Sequence, residues 1–256
     1  MVTRLVKLGD TEVARIGLGT NRLTNTPENV AFLRDAIAAG LKNVDTAHLY
    51  AGGDSEKTIG GALSPAPEGL LIGTKGGFQP GEGRPDVLRG QIEESLRRLR
   101  TDTIGLYYLH RAHPDTPIEE SLAAIKEHQD AGKIRHIGVS NVSIDQIERA
   151  REVVEIAAVQ NRYNLSERES EDVVDYCARE GIVFVPYFPL RGDGGRAVDE
   201  IAERHDATPH QIALAWLLER SPTTLPIPGT LSLEHLKQNL AALEIELSDD
   251  EFQALV

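Results

Sequence analysis

Short apolar, β-rich runs alternate with longer amphipathic runs along most of the chain, and this alternation is the tightest constraint on its fold. Strand candidates lie at 16–18, 43–45, 70–74, 104–109, 136–139, 157–160, 183–186 and 224–227. Helix candidates fall near 28–39, 55–63, 85–99, 118–131, 143–154, 167–179, 196–204 with 208–220, and 232–241. Strands separated by helices imply parallel neighbours, and eight repeats favour closure into a barrel over an open sheet. The expected fold is α/β, a (β/α)8 TIM barrel forming one domain over residues 1–256. Such barrels commonly run to about 250 residues.

Residues 4–15 precede the first repeat and contain Gly9-Asp10, a turn pair. They predict a β-hairpin outside the barrel that closes its bottom, the amino-terminal end. Ser143 and Ser232 read as helix N-caps, Gly40, Gly132 and Gly181 as C-caps, and Thr208-Pro209 as a helix start. The glycine-rich stretch 191–196 follows the seventh strand and predicts a mobile loop on the carboxyl rim.

Composition narrows the function. With 40% hydrophobic and 26% charged residues the chain is of ordinary globular type. A net charge of −13 argues against a nucleic-acid partner, which would need clustered Lys and Arg. The one dense basic run, Arg97-Arg98-Leu99-Arg100, reads as a solvated helix end. The lone cysteine, Cys177, sits in a helical stretch and reads as a packed thiol compatible with a reducing compartment. Neither a signal-peptide core after Met1 nor an apolar run of membrane-spanning length is found, so a cytoplasmic protein without membrane partners is expected.

Parallel barrels keep their chemistry at the carboxyl ends of the strands. Those ends offer Gly19-Thr20-Asn21, Asp45 with nearby Tyr50, Lys75, His110, Ser140-Asn141, Gln160-Asn161, Tyr187 and Pro228-Gly229-Thr230. Each alone could be the polar finish of any strand reaching solvent. Together, Asp45, Tyr50, Lys75 and His110 suggest an enzyme. A lysine ammonium stabilises phenolate, so Lys75 is expected to lower the Tyr50 pKa into a useful proton-donor range, with Asp45 holding Lys75 charged. His110 would orient a carbonyl oxygen or relay its proton.

The string Asp45-Thr46-Ala47-His48-Leu49-Tyr50, followed by Ser55-Glu56, Thr74-Lys75, Leu109-His110 and Ile134-Arg135-His136-Ile137-Gly138-Val139-Ser140-Asn141, resembles the aldo-keto reductase superfamily over nearly the whole chain. The resemblance implies a catalytic tetrad of Asp45, Tyr50, Lys75 and His110, with Tyr50 as general acid toward an aldehyde or ketone. It also implies an extended nicotinamide dinucleotide, NADPH with NADH as the alternative. Ser140, Asn141 and Gln160 would hold the carboxamide, and Tyr187 would stack on the ring. The rest of the groove would comprise Thr20, Asn21, Pro189, Leu190, Arg191, Pro228, Gly229, Thr230, His235, Gln238 and Asn239. Many members carry Lys where this chain has Gly229 and Arg where it has His235, which weakens the expected grip on a 2′-phosphate. Lys237, Arg191 or Arg196 could supply the missing charge.

Two rival readings stand beside this one. A metal-dependent barrel hydrolase would use His110 and His113, yet the first strand ends Gly17-Leu18-Gly19-Thr20 without a ligand, and His113 reads as a solvated loop residue. A cofactor-binding redox sensor would not require the proton donor that Tyr50 supplies. His48, His128, His136, His205 and His210 show no converging partners, and Trp216 reads as core. The loops are short and the chain closes soon after Ser248-Asp249-Asp250-Glu251, which predicts an open pocket for small carbonyl substrates and a monomer.

Overall fold

A computed structural model describes residues 4–191 and 195–255. Met1 to Thr3, residues 192–194 of the expected mobile loop, and Val256 lie outside the described residues. The strands are β1 (Leu5–Leu8), β2 (Thr11–Ala14), β3 (Leu18–Gly19), β4 (Asn43–Asp45), β5 (Leu71–Gly76), β6 (Ile104–Leu109), β7 (Ile134–Ser140), β8 (Ile156–Gln160) and β9 (Val183–Phe184). The helices are α1 (Pro27–Ala38), α2 (Asp54–Leu63), α3 (Pro85–Leu99), α4 (Ile118–Asp130), α5 (Ile144–Arg151), α6 (Glu171–Glu180), α7 (Gly195–Arg204), α8 (Pro209–Arg220), α9 (Leu233–Ala241) and α10 (Asp249–Ala254).

Strands β3 to β9 form one parallel sheet in chain order. The expected eighth strand is present as a run of isolated bridges rather than a ladder. Phe184 N–H donates to Thr223 O, Leu225 N–H to Phe184 O, Gly17 N–H to Pro226 O and Gly19 N–H to Pro228 O. Residues 223–228 thereby join β9 to β3 and close the barrel. Pro226 and Pro228 have no N–H to return, which is why this stave carries fewer bonds than its neighbours. The first strand is displaced from the expected 16–18 to Leu18–Gly19, where its register with β4 begins at Leu18 opposite Val44.

The hairpin β1–β2 turns at Gly9-Asp10, as the sequence implied. Its Val6, Leu8 and Val13 pack against Leu106, Tyr108, Ala158, Val183, Val185 and Leu225, the side chains filling the barrel interior. The hairpin therefore closes the amino-terminal end, and the chemistry is left to the other rim. Arg15, 1% exposed, fastens the closure: it donates to Thr224 O at 3.0 Å, Leu218 O at 2.7 Å and Ser221 O at 2.5 Å.

Helix signals match local chemistry. Ser143 and Thr208 form capping boxes with Gln146 and Gln211, and Pro209 occupies the first turn of α8, where a missing N–H costs nothing. The helix expected from 167 starts only at Glu171, because Asn164 turns the preceding loop, its Oδ1 accepting from Ser166 and Glu167 N–H. Trp216 is fully buried, stacked on Tyr163 at 5.7 Å and Phe252 at 6.2 Å. Cys177 is buried, and desolvation pushes its thiol up to about 12, which leaves it unreactive.

Three surface expectations need correction. Arg98 of the basic run is not a solvated end: its side chain is 13% exposed and reaches back to Glu56 at 3.2 Å. His113 is not simply solvated, since its Nε2 lies 2.7 Å from Phe78 O. His128, His136 and His205 each meet a carboxylate, from Glu93, Asp10 and Glu251 respectively. These pairings cross between elements far apart in sequence, so no local spacing announces them.

Candidate active site

A cavity of about 590 Å³ opens at the carboxyl ends of the strands. Its wall includes Asp45, Tyr50 and His110 from the expected tetrad, while Lys75 is fully buried immediately behind. Lys75 Nζ donates to Asp45 Oδ1 at 2.5 Å and to Thr46 O at 2.6 Å. The Asp45 carboxylate also accepts from Gln160 Nε2 at 2.9 Å. An ammonium taken out of water survives only with such partners. Burial opposes its charge, yet Asp45 and Tyr50 outweigh burial and raise the Lys75 pKa.

Tyr50 lies above this pair, with Lys75 Nζ 5.2 Å from its ring centroid. The expectation of a lowered phenol pKa is overturned. Desolvation dominates, Asp45 cancels part of the pull of Lys75, and the Tyr50 pKa is raised. The phenol therefore stays protonated at neutral pH. His110 faces it edge-on, with ring centroids 6.2 Å apart. Burial, then Lys75 and Arg111, hold the imidazole pKa down at about 2, so the ring is neutral. A neutral ring can donate one N–H to an oxygen, as the first of the two roles anticipated for it requires.

The loop that carries Tyr50 is flanked by a network that sequence reading did not find. After it the chain passes through Ala51, Gly52 and Gly53, all at positive φ. The Arg98 guanidinium lies against Gly53, where an added Cβ would sit 2.5 Å from Nη1. Arg98 Nη1 donates to His48 O at 2.9 Å and to the buried Glu56 carboxylate, which also accepts from Thr74 Oγ1 at 2.6 Å. A second cluster, Thr20, Thr46 and Ser55, links hydroxyls at 2.7–2.9 Å beneath the same loop. Ser55-Glu56 was visible as a motif, but its partner on α3 was not.

The cofactor-groove candidates divide. Thr20, Asn21, Ser140, Asn141, Gln160, Tyr187, Pro189, Leu190, Arg191, Pro228 and Gly229 all line the cavity. Asn141, at φ 58, donates through Nδ2 to His110 O and Ser140 Oγ, and accepts from Tyr187 Oη at 2.8 Å. Thr230, His235, Gln238 and Asn239 lie outside it. His235 is exposed in the first turn of α9, Gln238 borders a separate groove beside α7, and Asn239 is buried. Lys237 and Arg196 are exposed and also outside the cavity. Arg22, Arg111 and Arg162 do line it, and none had been singled out. Among the described residues no group of three His, Cys, Asp or Glu side chains could hold a metal ion, and no helix is long and apolar enough to cross a membrane.

A parallel barrel with an acid–lysine pair, a buried phenol and a neutral imidazole on its carboxyl rim defines a class of oxidoreductase. The model of the aldo/keto reductase family matches residues 15–196 and 193–256. The chain is 35% identical to pyridoxine 4-dehydrogenase of Escherichia coli, over 100% of this chain and 98% of that protein. An oxidoreductase of Schizosaccharomyces pombe is 37% identical over 98% of this chain and 88% of its own. Among solved structures, a thermostable aldo-keto reductase in complex with the inhibitor epalrestat superposes with a TM-score of 0.92 at 37% identity, covering 99% of this chain and 98% of that one. An aldo-keto reductase from Klebsiella pneumoniae in complex with NADPH gives 0.90 at 32% identity, covering 100% and 94%. The chain belongs to the aldo-keto reductase family.

Proposed function

We propose that this chain reduces aldehydes and ketones to alcohols, taking NADPH, with NADH as the alternative, and using Tyr50 as general acid. The observation that carries the reading is the Lys75 ammonium clamped to Asp45 behind a Tyr50 phenol that stays protonated on the cavity wall. The lining suits a nicotinamide dinucleotide: amide-binding side chains in Ser140, Asn141 and Gln160, a flat aromatic in Tyr187, and guanidinium groups in Arg22 and Arg191. Gly229 keeps that wall thin, since a Cβ there would come 3.2 Å from Gly19 O.

When bound, the reduced nicotinamide supplies a hydride to the carbonyl carbon. As the C=O π pair moves to oxygen, Tyr50 Oη delivers the proton, and the neutral His110 N–H steadies the same oxygen. Lys75 stabilises the phenolate left behind, and Asp45 keeps Lys75 charged and aimed. Residues 1–256 act as one catalytic unit in this proposal. We place it in the cytoplasm as a monomer acting on small-molecule carbonyls, a placement consistent with the inert Cys177.

NADPH and NADH titrations, followed by multiple-turnover assays on a panel of aldehydes and ketones, test the reading. Repeated consumption of reduced cofactor is the expected result. Oxidation that stops after one equivalent would replace it with the redox-sensor reading. Tyr50→Phe should bind cofactor nearly as well while turnover falls by about 10²–10⁴. Turnover at the wild-type rate in that variant would remove Tyr50 as the acid.

A further inference from the structure

The cavity wall has two chemically distinct sectors. The candidate cofactor residues come from the ends of β7, β8, β9, the closing run and β3. The ends of β4, β5 and β6 contribute Asp45, Leu49, Tyr50, Phe78, His110 and Arg111, and this is the sector left for substrate; the Asp45 carboxylate is buried and neutralised by Lys75. Among the described residues its one exposed charge is Arg111. In a chain of net charge −13, most surface arginines are held by carboxylates. Of the four arginines lining the cavity, Arg162 is paired with Glu167, Arg22 donates to Gly229 O, and Arg191 lies over the Phe188 ring. Arg111 has no carboxylate partner among the described residues.

It is nevertheless held in place. Its guanidinium stacks on the Phe78 ring at 4.9 Å from the centroid, and that ring lies 4.8 Å from the His110 imidazole. That contact holds the guanidinium against an apolar ring and takes up none of its N–H donors as hydrogen bonds, so they are open to a carboxylate or phosphate. A carbonyl oxygen placed at Tyr50 and His110 would put the far end of a short substrate across Phe78 toward Arg111.

We propose that Arg111 selects carbonyl substrates bearing an anionic group, a carboxylate or a phosphate, at the end remote from the reacting carbon. The inference rests on the carbonyl-reductase reading above, and Arg111 acts in it as a specificity-determining residue without part in the proton transfer.

The test compares three aldehydes of one shape: 4-carboxybenzaldehyde, 4-formylphenyl phosphate and the neutral methyl 4-formylbenzoate. Wild type should show a kcat/KM about tenfold or more higher for at least one acid than for the ester, falling with added salt. Which acid is favoured identifies the anion. In Arg111→Leu the acid-to-ester ratio should collapse toward one, mainly through KM for the acid. Arg111→Lys should recover part of it. An equal preference in wild type, or a ratio that survives Arg111→Leu, overturns the proposal while turnover of the ester leaves the reductase reading standing. If none of the three is turned over, the wider panel of aldehydes and ketones decides that reading. Calorimetric binding of 4-(hydroxymethyl)benzoate against its methyl ester then decides Arg111 separately: preference for the acid, lost in Arg111→Leu, supports the anion site, and equal binding ends it.

Discussion

The chemistry proposed at Tyr50 depends on three side chains whose types were readable from strand ends, as was the Lys75 charge, while the neutral state of His110 was not. Asp45, Lys75 and His110 could be placed on one rim because each closes an apolar run. The direction of the Tyr50 shift could not, since it turns on burial and on how far Asp45 offsets Lys75. Two consequences belong to this scale. Lys75→Met leaves the Asp45 carboxylate without its cation and should cost about 3–5 kcal/mol in urea unfolding, in addition to turnover. His110 binds its proton near 6.5 when unfolded but only near 2 when folded. The unfolded state therefore takes up the extra proton as pH falls, and the stability due to neutral His110 is full above 6.5 and drains below it. Between pH 7 and pH 5 wild type should lose about 2 kcal/mol more than His110→Gln. Parallel losses in the two proteins would contradict a buried neutral imidazole.

Elements were legible where a pattern is local and obscure where two elements meet. The capping boxes of α5 and α8 and the extents of α3 and β6 follow from neighbours in sequence. The approach of α2 to the end of α3 does not, although it carries the Arg98 that bonds His48 O two residues before Tyr50. Gly60 of α2 lies so close to α3 that an added Cβ would meet Arg98 O and come 2.8 Å from the Leu99 carbonyl carbon. Gly60→Ala should drive the helices apart, destabilise by about 1–3 kcal/mol and lower kcat by shifting the Arg98 strut. Chemical denaturation with steady-state kinetics checks both, and an Ala variant that keeps wild-type stability and kcat would show that the contact is slack. Arg98 illustrates why such links escape sequence reading: a helix-end arginine carries the same local signature whether it ends in water or on Glu56.

At the scale of the molecule, eight repeats were enough to specify closure, but not how unevenly the staves would be joined. The closing run contributes scattered bonds between β9 and β3, and Arg15 takes over much of the fastening. Arg15→Leu would leave three buried carbonyls without their donor and should cost at least about 3 kcal/mol. Loss of less than 1 kcal/mol in thermal or urea unfolding would show that water replaces it. The weakest joint also lies beneath the groove proposed for the dinucleotide, because Gly229 bridges Gly19 and accepts from Arg22 at 3.0 Å. A ligand spanning these residues would act as a hoop around the barrel's one loose stave. Survival under protease would then track dinucleotide supply: a cell depleted of the dinucleotide would shorten the lifetime of this chain.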